Sequence, residues 1–165
     1  MPKVLRRTAR AILVRNGDLI LIKRTRPGRA PYWVTVGGGV EPQDASVEAA
    51  LHREVFEEIG GTVTDAQQVY VLSEAEGQGI NVHHFFIATL ATMDLDKRTG
   101  TEFAKPERGE YEVDAIPFGR QSLCSIHLMP GELADYLTAN VAGLTTLVAG
   151  RPPADAVADR SPASP

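Results

Sequence analysis

The amino-acid sequence predicts one α/β domain over residues 1–150, followed by a short tail over 151–165. Three observations carry that expectation. Two apolar runs, at 11–14 and 19–22, flank Asn16-Gly17, the pattern of a tight β-hairpin. Val47, Leu51, Val55 and Ile59 recur at intervals of four, which draws one buried stripe along a helix. Further β-prone segments follow that helix, so strands stand on both sides of it in the chain.

The hairpin comes first, because Asn-Gly adopts the positive φ angles of a two-residue turn at little cost. The Arg-rich, acid-poor start also has the composition of a targeting peptide, but the paired apolar runs fit a hairpin better. Residues 25–31 read as a polar loop rich in Arg, Pro and Gly. A short strand over 32–36 precedes Gly37, Gly38 and Gly39, which are expected to break regular structure. The helix is expected over about 46–59, with Asp44 or Ser46 as N-cap and Gly60-Gly61 as its stop. Strands are expected at 67–73, 80–90 and 111–118, and a second helix over 131–141, starting near Pro130. From Arg151 the chain is rich in Pro, Ala, Ser and Asp with almost no bulky apolar groups, so disorder is expected there.

Composition excludes several classes. With 43% hydrophobic and 23% charged residues, the chain is neither a disordered polymer nor a membrane protein. No apolar run is long enough to span a bilayer, and no signal-peptide core is present. The lone Cys124 closes no intrachain disulfide and reads as an ordinary semi-buried thiol, so a reducing, cytoplasmic location is expected. The net charge of −4 hides an uneven distribution. Residues 1–31 carry +8, whereas residues 39–61 carry −5. A basic surface over the whole molecule is therefore unsupported, and no stable nucleic-acid partner is expected.

The chemistry concentrates between Gly37 and Gly61. Glu54, Glu57 and Glu58 stand at i, i+3 and i+4, which places three carboxylates together on a helix face opposite much of the apolar stripe. Such like charges repel, and a hard divalent cation such as Mg²⁺ or Mn²⁺ removes the repulsion. Arg53 is placed to fix a carboxylate rotamer. The glycine turn ahead of the helix lets backbone groups come close to a metal or phosphate. A solvated acidic helix face is the ordinary alternative for Glu57-Glu58 taken alone.

The stretch from Gly38 through Asp44 to Arg53-Glu54-Val55-x-Glu57-Glu58-x-Gly60 resembles the Nudix box of the Nudix hydrolases, here spanning residues 38–61. Four departures stand out. Asp44 replaces a glutamate, and eight residues rather than seven separate it from Arg53. Gly61 replaces a bulky aliphatic, and Val36 stands where a proline usually precedes the glycines. The resemblance implies an α/β/α sandwich with a mixed sheet. It implies metal ligation by Glu54, Glu57, Glu58 and the Gly38 carbonyl, with Arg53 orienting a glutamate. The reaction implied is metal-dependent hydrolysis of a nucleoside diphosphate linked to another moiety. A nucleotide-type small molecule is thus the expected partner, and a homodimer is compatible with the sequence. The alternative is a Nudix-fold module that binds a nucleotide without turnover.

Family members often place a further base or ligand on a later loop, for which Glu102, Glu107 and Glu110 are the candidates here, Glu102 first. Arg24, Arg26 and Arg29, between hairpin and glycines, either contact substrate phosphate or stay solvated. Tyr32 and Trp33 are expected to be core rather than base-stacking residues. His83 and His84 alternate along a strand, one inward and one outward. No G-x-S-x-G elbow, Walker A loop or Cys/His cluster offers a different chemistry.

Overall fold

The computed structural model describes residues 1–101 and 105–149. In chain order the elements are β1 (Lys3–Arg15), β2 (Asp18–Thr25), β3 (Tyr32–Val34), β4 (Val36–Gly39) and α1 (Val47–Ile59). There follow β5 (Thr62–Glu76), β6 (Gly79–Thr92), β7 (Glu110–Pro117), α2 (Arg120–Ser125) and α3 (Gly131–Ala149). Asn16 and Gly17 take φ values of 52° and 82°, so the β1–β2 turn has the predicted form.

Among the described residues seven strands make one mixed sheet. β1 lies at its centre, antiparallel to β2 and β4 and parallel to β6. β2 also pairs with β3 and β7, and β6 pairs with β5. Both faces of the sheet are covered, which explains the near-continuous apolar runs of β1 and β2. On one face, Ala50, Leu51, Val55 and Ile59 of α1 pack on Ala11, Leu13, Ile20, Ile22 and Phe86. On the other, Leu123, Leu133, Leu137 and Leu144 pack on Ile12, Leu19, Leu21 and Phe85. The architecture is thus an α/β/α sandwich, as expected.

Four expectations are corrected. The glycines do not break the sheet: Gly37, Gly38 and Gly39 form β4 and pair with Arg10, Ala9 and Thr8. The Tyr32–Val34 strand ends before them, with Thr35 between the two. The last helix runs to Ala149, and α2 precedes it, because Leu123 and the Leu133–Leu137–Leu144 series bury against the sheet. Cys124 is exposed rather than semi-buried. Of the two N-cap candidates, Ser46 caps α1, its hydroxyl accepting from Ala49 N at 3.0 Å. Gly60 ends the helix in the left-handed conformation at φ 60°. The expected tail over 151–165 lies outside the described residues.

Candidate active site

A cavity of about 590 Å³ opens where α1 meets β4. Its floor carries Gly37, Gly38 and Gly39 beside Glu54, Glu57 and Glu58. These carboxylates do not stand opposite the apolar stripe. Glu54 is buried, 8% exposed, and its carboxylate occupies the space that a side chain on Gly38 would take. The Cβ that Gly38 lacks would fall 2.5 Å from both Glu54 oxygens. Glu58 Oε2 accepts from Gly37 N at 2.8 Å, so β4 and α1 are tied together by the acidic face itself.

Arg53 organises the group. Its Nε and Nη2 donate to the two Asp44 oxygens at 2.9 and 2.8 Å, a bidentate pair. Nη2 also donates to Gly39 O at 2.8 Å, and Nη1 to Glu54 at 3.0 Å and Glu57 at 3.1 Å. All five guanidinium N–H groups are therefore used. The Arg53 bonds, with the backbone N–H of Glu41, hold the Asp44 carboxyl down to about 2. Arg53 in turn is held more firmly protonated, chiefly by Asp44.

The structure separates the three arginines of the 24–29 segment. Arg24 lines the cavity, but Arg26 and Arg29 are exposed and lie outside its wall. Arg24 is 9% exposed, with Tyr32 and Tyr111 as its cross-strand neighbours on β3 and β7. Its guanidinium carbon stands 3.6 Å from the Tyr111 ring centroid, a cation–π contact, and Nη2 donates to Arg108 O at 2.9 Å. Its Nε is buried and has no hydrogen-bond partner among the described residues. Trp33 is not a stacking platform; its Nε1 donates to Asp114 at 2.8 Å while the ring joins the core. Tyr32 lines the cavity instead of the core.

Two basic residues escaped the sequence reading. Arg6 lies over Gly39, and Arg10 donates to Gly37 O at 2.9 Å and Thr35 O at 3.3 Å. Burial lowers the Arg10 pKa, while Glu58 and Glu54 oppose that shift. Strand alternation separates them from Arg7 and Arg15, but only the β1–β4 register brings them to the glycines.

Of the loop acids, Glu107 and Glu110 are exposed and do not line the cavity. Glu102 lies outside the described residues. Its predecessors Thr99, Gly100 and Thr101 do line the cavity, because Thr99 N and Gly100 N donate to Glu57 O at 3.0 and 2.9 Å. His83 and His84 stay apart from the carboxylates. His83 pairs with Thr8 and Glu74, and His84 with Gln68 and Arg7.

Among the described residues, no three acidic, imidazole or thiol side chains converge as a ready-made metal cluster. The donor set nonetheless fits a hard divalent cation. Four carboxylates, those of Glu41, Glu54, Glu57 and Glu58, line one cavity with a glycine backbone, and neither sulfur nor imidazole is among its lining residues.

Comparison with known proteins agrees with this layout. A family model described as the NUDIX domain matches residues 5–121. No curated protein sequence matches the chain. Among solved structures, the MutT NUDIX hydrolase from Burkholderia pseudomallei is similar at 24% identity and a TM-score of 0.57, covering 78% of this chain and 94% of its own. A NUDIX hydrolase from Nitrosomonas europaea gives 18% identity and a TM-score of 0.60 over 96% and 98% of the two chains. A protein described as ADP compounds hydrolase gives 20% and 0.62 over 92% and 77%. At such identities these likenesses speak for the fold. Among the described residues no helix is long and apolar enough to cross a membrane.

Proposed function

The chain belongs to the NUDIX family of pyrophosphohydrolases, and from that premise we propose that it hydrolyses a nucleoside diphosphate linked to another moiety, with Mg²⁺ or Mn²⁺. The observation that carries this reading is that Glu54, Glu57 and Glu58 line one cavity together with the β4 glycines. These carboxylates, with the Gly38 carbonyl, would hold the metal. When bound, a divalent cation would neutralise the phosphate oxygens and make the attacking water more acidic.

The chain's own residues supply placement and charge. Arg53 holds Glu54 and Glu57 through separate hydrogen bonds on one nitrogen, so their oxygens do not swing into solvent. Glu58 is oriented by the Gly37 amide. Arg10 and Arg24 place positive charge around the cavity, where the anionic pyrophosphate would lie. Phosphoanhydride cleavage needs such positioning more than it needs a covalent nucleophile. Glu102 follows the cavity-lining Thr101, which supports it as the proton acceptor for the attacking water.

Turnover with Mg²⁺ in wild-type and Glu57→Gln protein tests this reading. Glu57→Gln removes a charged donor from a half-buried side chain, so activity is expected to fall at least about a hundredfold with little change in Tm. Unchanged Mg²⁺-dependent turnover would sink the assignment.

A further inference from the structure

We propose that Arg10 makes metal binding and substrate binding depend on each other. Its charge weakens the empty carboxylate site for a divalent cation, and an anionic substrate that meets that charge restores the affinity. The inference rests on the pyrophosphohydrolase reading and deepens it, by giving one side chain control over how tightly the site holds its metal.

The placement turns on Gly37. Its amide donates to Glu58 Oε2 at 2.8 Å, and its carbonyl accepts from Arg10 Nη1 at 2.9 Å. A carboxylate of the site and a guanidinium are thus attached to the two ends of one residue. Two hydrogen bonds and a single residue keep these charges within roughly 10 Å, about the Debye length in 0.1 M salt, so dissolved ions screen them only in part. The same Nη1 donates to Thr35 O at 3.3 Å. Arg10 therefore stays beside the site when a cation arrives, because leaving would strand two carbonyls.

Arg10 differs from Arg53 in what holds it. Arg53 is bonded to Asp44, Glu54 and Glu57. Among the described residues Arg10 has no ion-pair partner within 4 Å, and its Nε and Nη2 make no hydrogen bond. Neither nitrogen is among the side-chain atoms buried without a partner, so both are reached by solvent. Burial works against the Arg10 charge, while Glu58 and Glu54 support it. That support is mutual: carboxylates that favour a guanidinium are partly neutralised by it, and a cation then gains less from them. A pyrophosphate on Nε and Nη2 would balance the guanidinium and leave the carboxylates to the metal. By linkage the coupling acts equally in both directions, so bound metal also raises affinity for the anion.

The test titrates the full chain with Mn²⁺ alone, and separately with inorganic pyrophosphate in EDTA, by calorimetry. Arg10→Gln deletes the charge and keeps N–H donors for the carbonyls. It is expected to bind Mn²⁺ about tenfold more tightly and pyrophosphate about tenfold more weakly, with the gain for Mn²⁺ shrinking at high salt. Arg10→Lys keeps the charge and is expected to bind Mn²⁺ within about threefold of wild type. A role confined to holding β4 would instead weaken both ligands in both variants, and that result would overturn the proposal. So would a folded Arg10→Gln protein that binds Mn²⁺ no more tightly than wild type. Should Arg10→Gln not fold, Arg10→Lys decides alone, since a Mn²⁺ affinity outside that threefold range would count against the charge. Wild-type protein that binds no Mn²⁺ at all would overturn the metal-dependent reading beneath the proposal.

Discussion

Gly37→Ala and Gly38→Ala are adjacent substitutions with opposite expected outcomes. At Gly38 a methyl group would sit 2.5 Å from both Glu54 carboxylate oxygens, against the 3.4 Å at which ordinary contact begins. The carboxylate would have to retreat by roughly 1 Å, and since it is the far end of a flexible side chain rather than backbone, the fold absorbs this cheaply. A metal ligand or positioning group moved by about 1 Å costs on the order of a hundredfold in rate. At Gly37 the methyl group would lie 2.1 Å from Ala9 O and 2.8 Å from Arg10 Cα, at φ 145°. There only backbone can yield, and the β1–β4 pairing must part. That is expected to cost about 3 kcal/mol, or roughly 6–12 °C in Tm. Circular-dichroism melting and Mg²⁺-dependent kcat/KM separate the two effects. Gly38→Ala should melt near wild type with little activity, and Gly37→Ala should melt early. Wild-type turnover in Gly38→Ala would refute the placement of Glu54 in the reaction.

Three further outcomes are expected. Asp44→Glu lengthens the acid paired with Arg53 without shortening the loop, so turnover should fall about tenfold; deleting Ala45 in the same protein should recover most of it, as kcat on one substrate would read. Burial, then Arg7 and His83, hold the His84 imidazole below its ordinary 6.5, so the unfolded chain takes up the proton first. The His84 contribution to stability is then fully present above pH 6.5 and shrinks as pH falls below it, and urea midpoints from pH 7.5 to about 5 should decline less steeply in His84→Gln. Leu137→Ala empties a fully buried site between α3 and the sheet and should cost about 3 kcal/mol by urea denaturation, with a loss below about 1 kcal/mol contradicting that packing.

Legibility in the sequence followed locality. The hairpin and α1 were readable because Asn-Gly and the four-residue apolar interval act within a few positions. The carboxylates and Arg53 were readable for the same reason, as neighbours on one helix. The role of the three glycines was misread because glycine ordinarily weakens a strand. Here the missing Cβ is what admits both the β1 backbone and the Glu54 carboxylate, a tertiary requirement that no local pattern carries. Arg10, Tyr111 and Arg24 converge from β1, β7 and β2, and only strand register brings them to one cavity. Arg26 and Arg29 looked equivalent to Arg24 because all three share a polar stretch, yet only Arg24 lies within β2.

The departures from the Nudix pattern at position 44 belong together. Aspartate is one methylene shorter than glutamate, and the loop before α1 is one residue longer than the pattern requires. In the structure the shorter acid reaches Arg53 with both oxygens at 2.9 Å or less. The longer loop therefore compensates for the shorter side chain, and Arg53 retains a full set of acceptors. That matters because a guanidinium with an unmet donor in this half-buried position would be free to rotate toward any anion entering the cavity. With Asp44 and Gly39 O holding one side, Nη1 stays directed at Glu54 and Glu57. Charge is divided accordingly. Arg53 serves the protein's own carboxylates, while Arg10 and Arg24 are held by backbone carbonyls and, among the described residues, make no hydrogen bond to a carboxylate. A chain whose arginines were all paired with its glutamates could hold a metal site but would offer a pyrophosphate little attraction, and it is this separation of roles that fits the cavity to an anionic substrate.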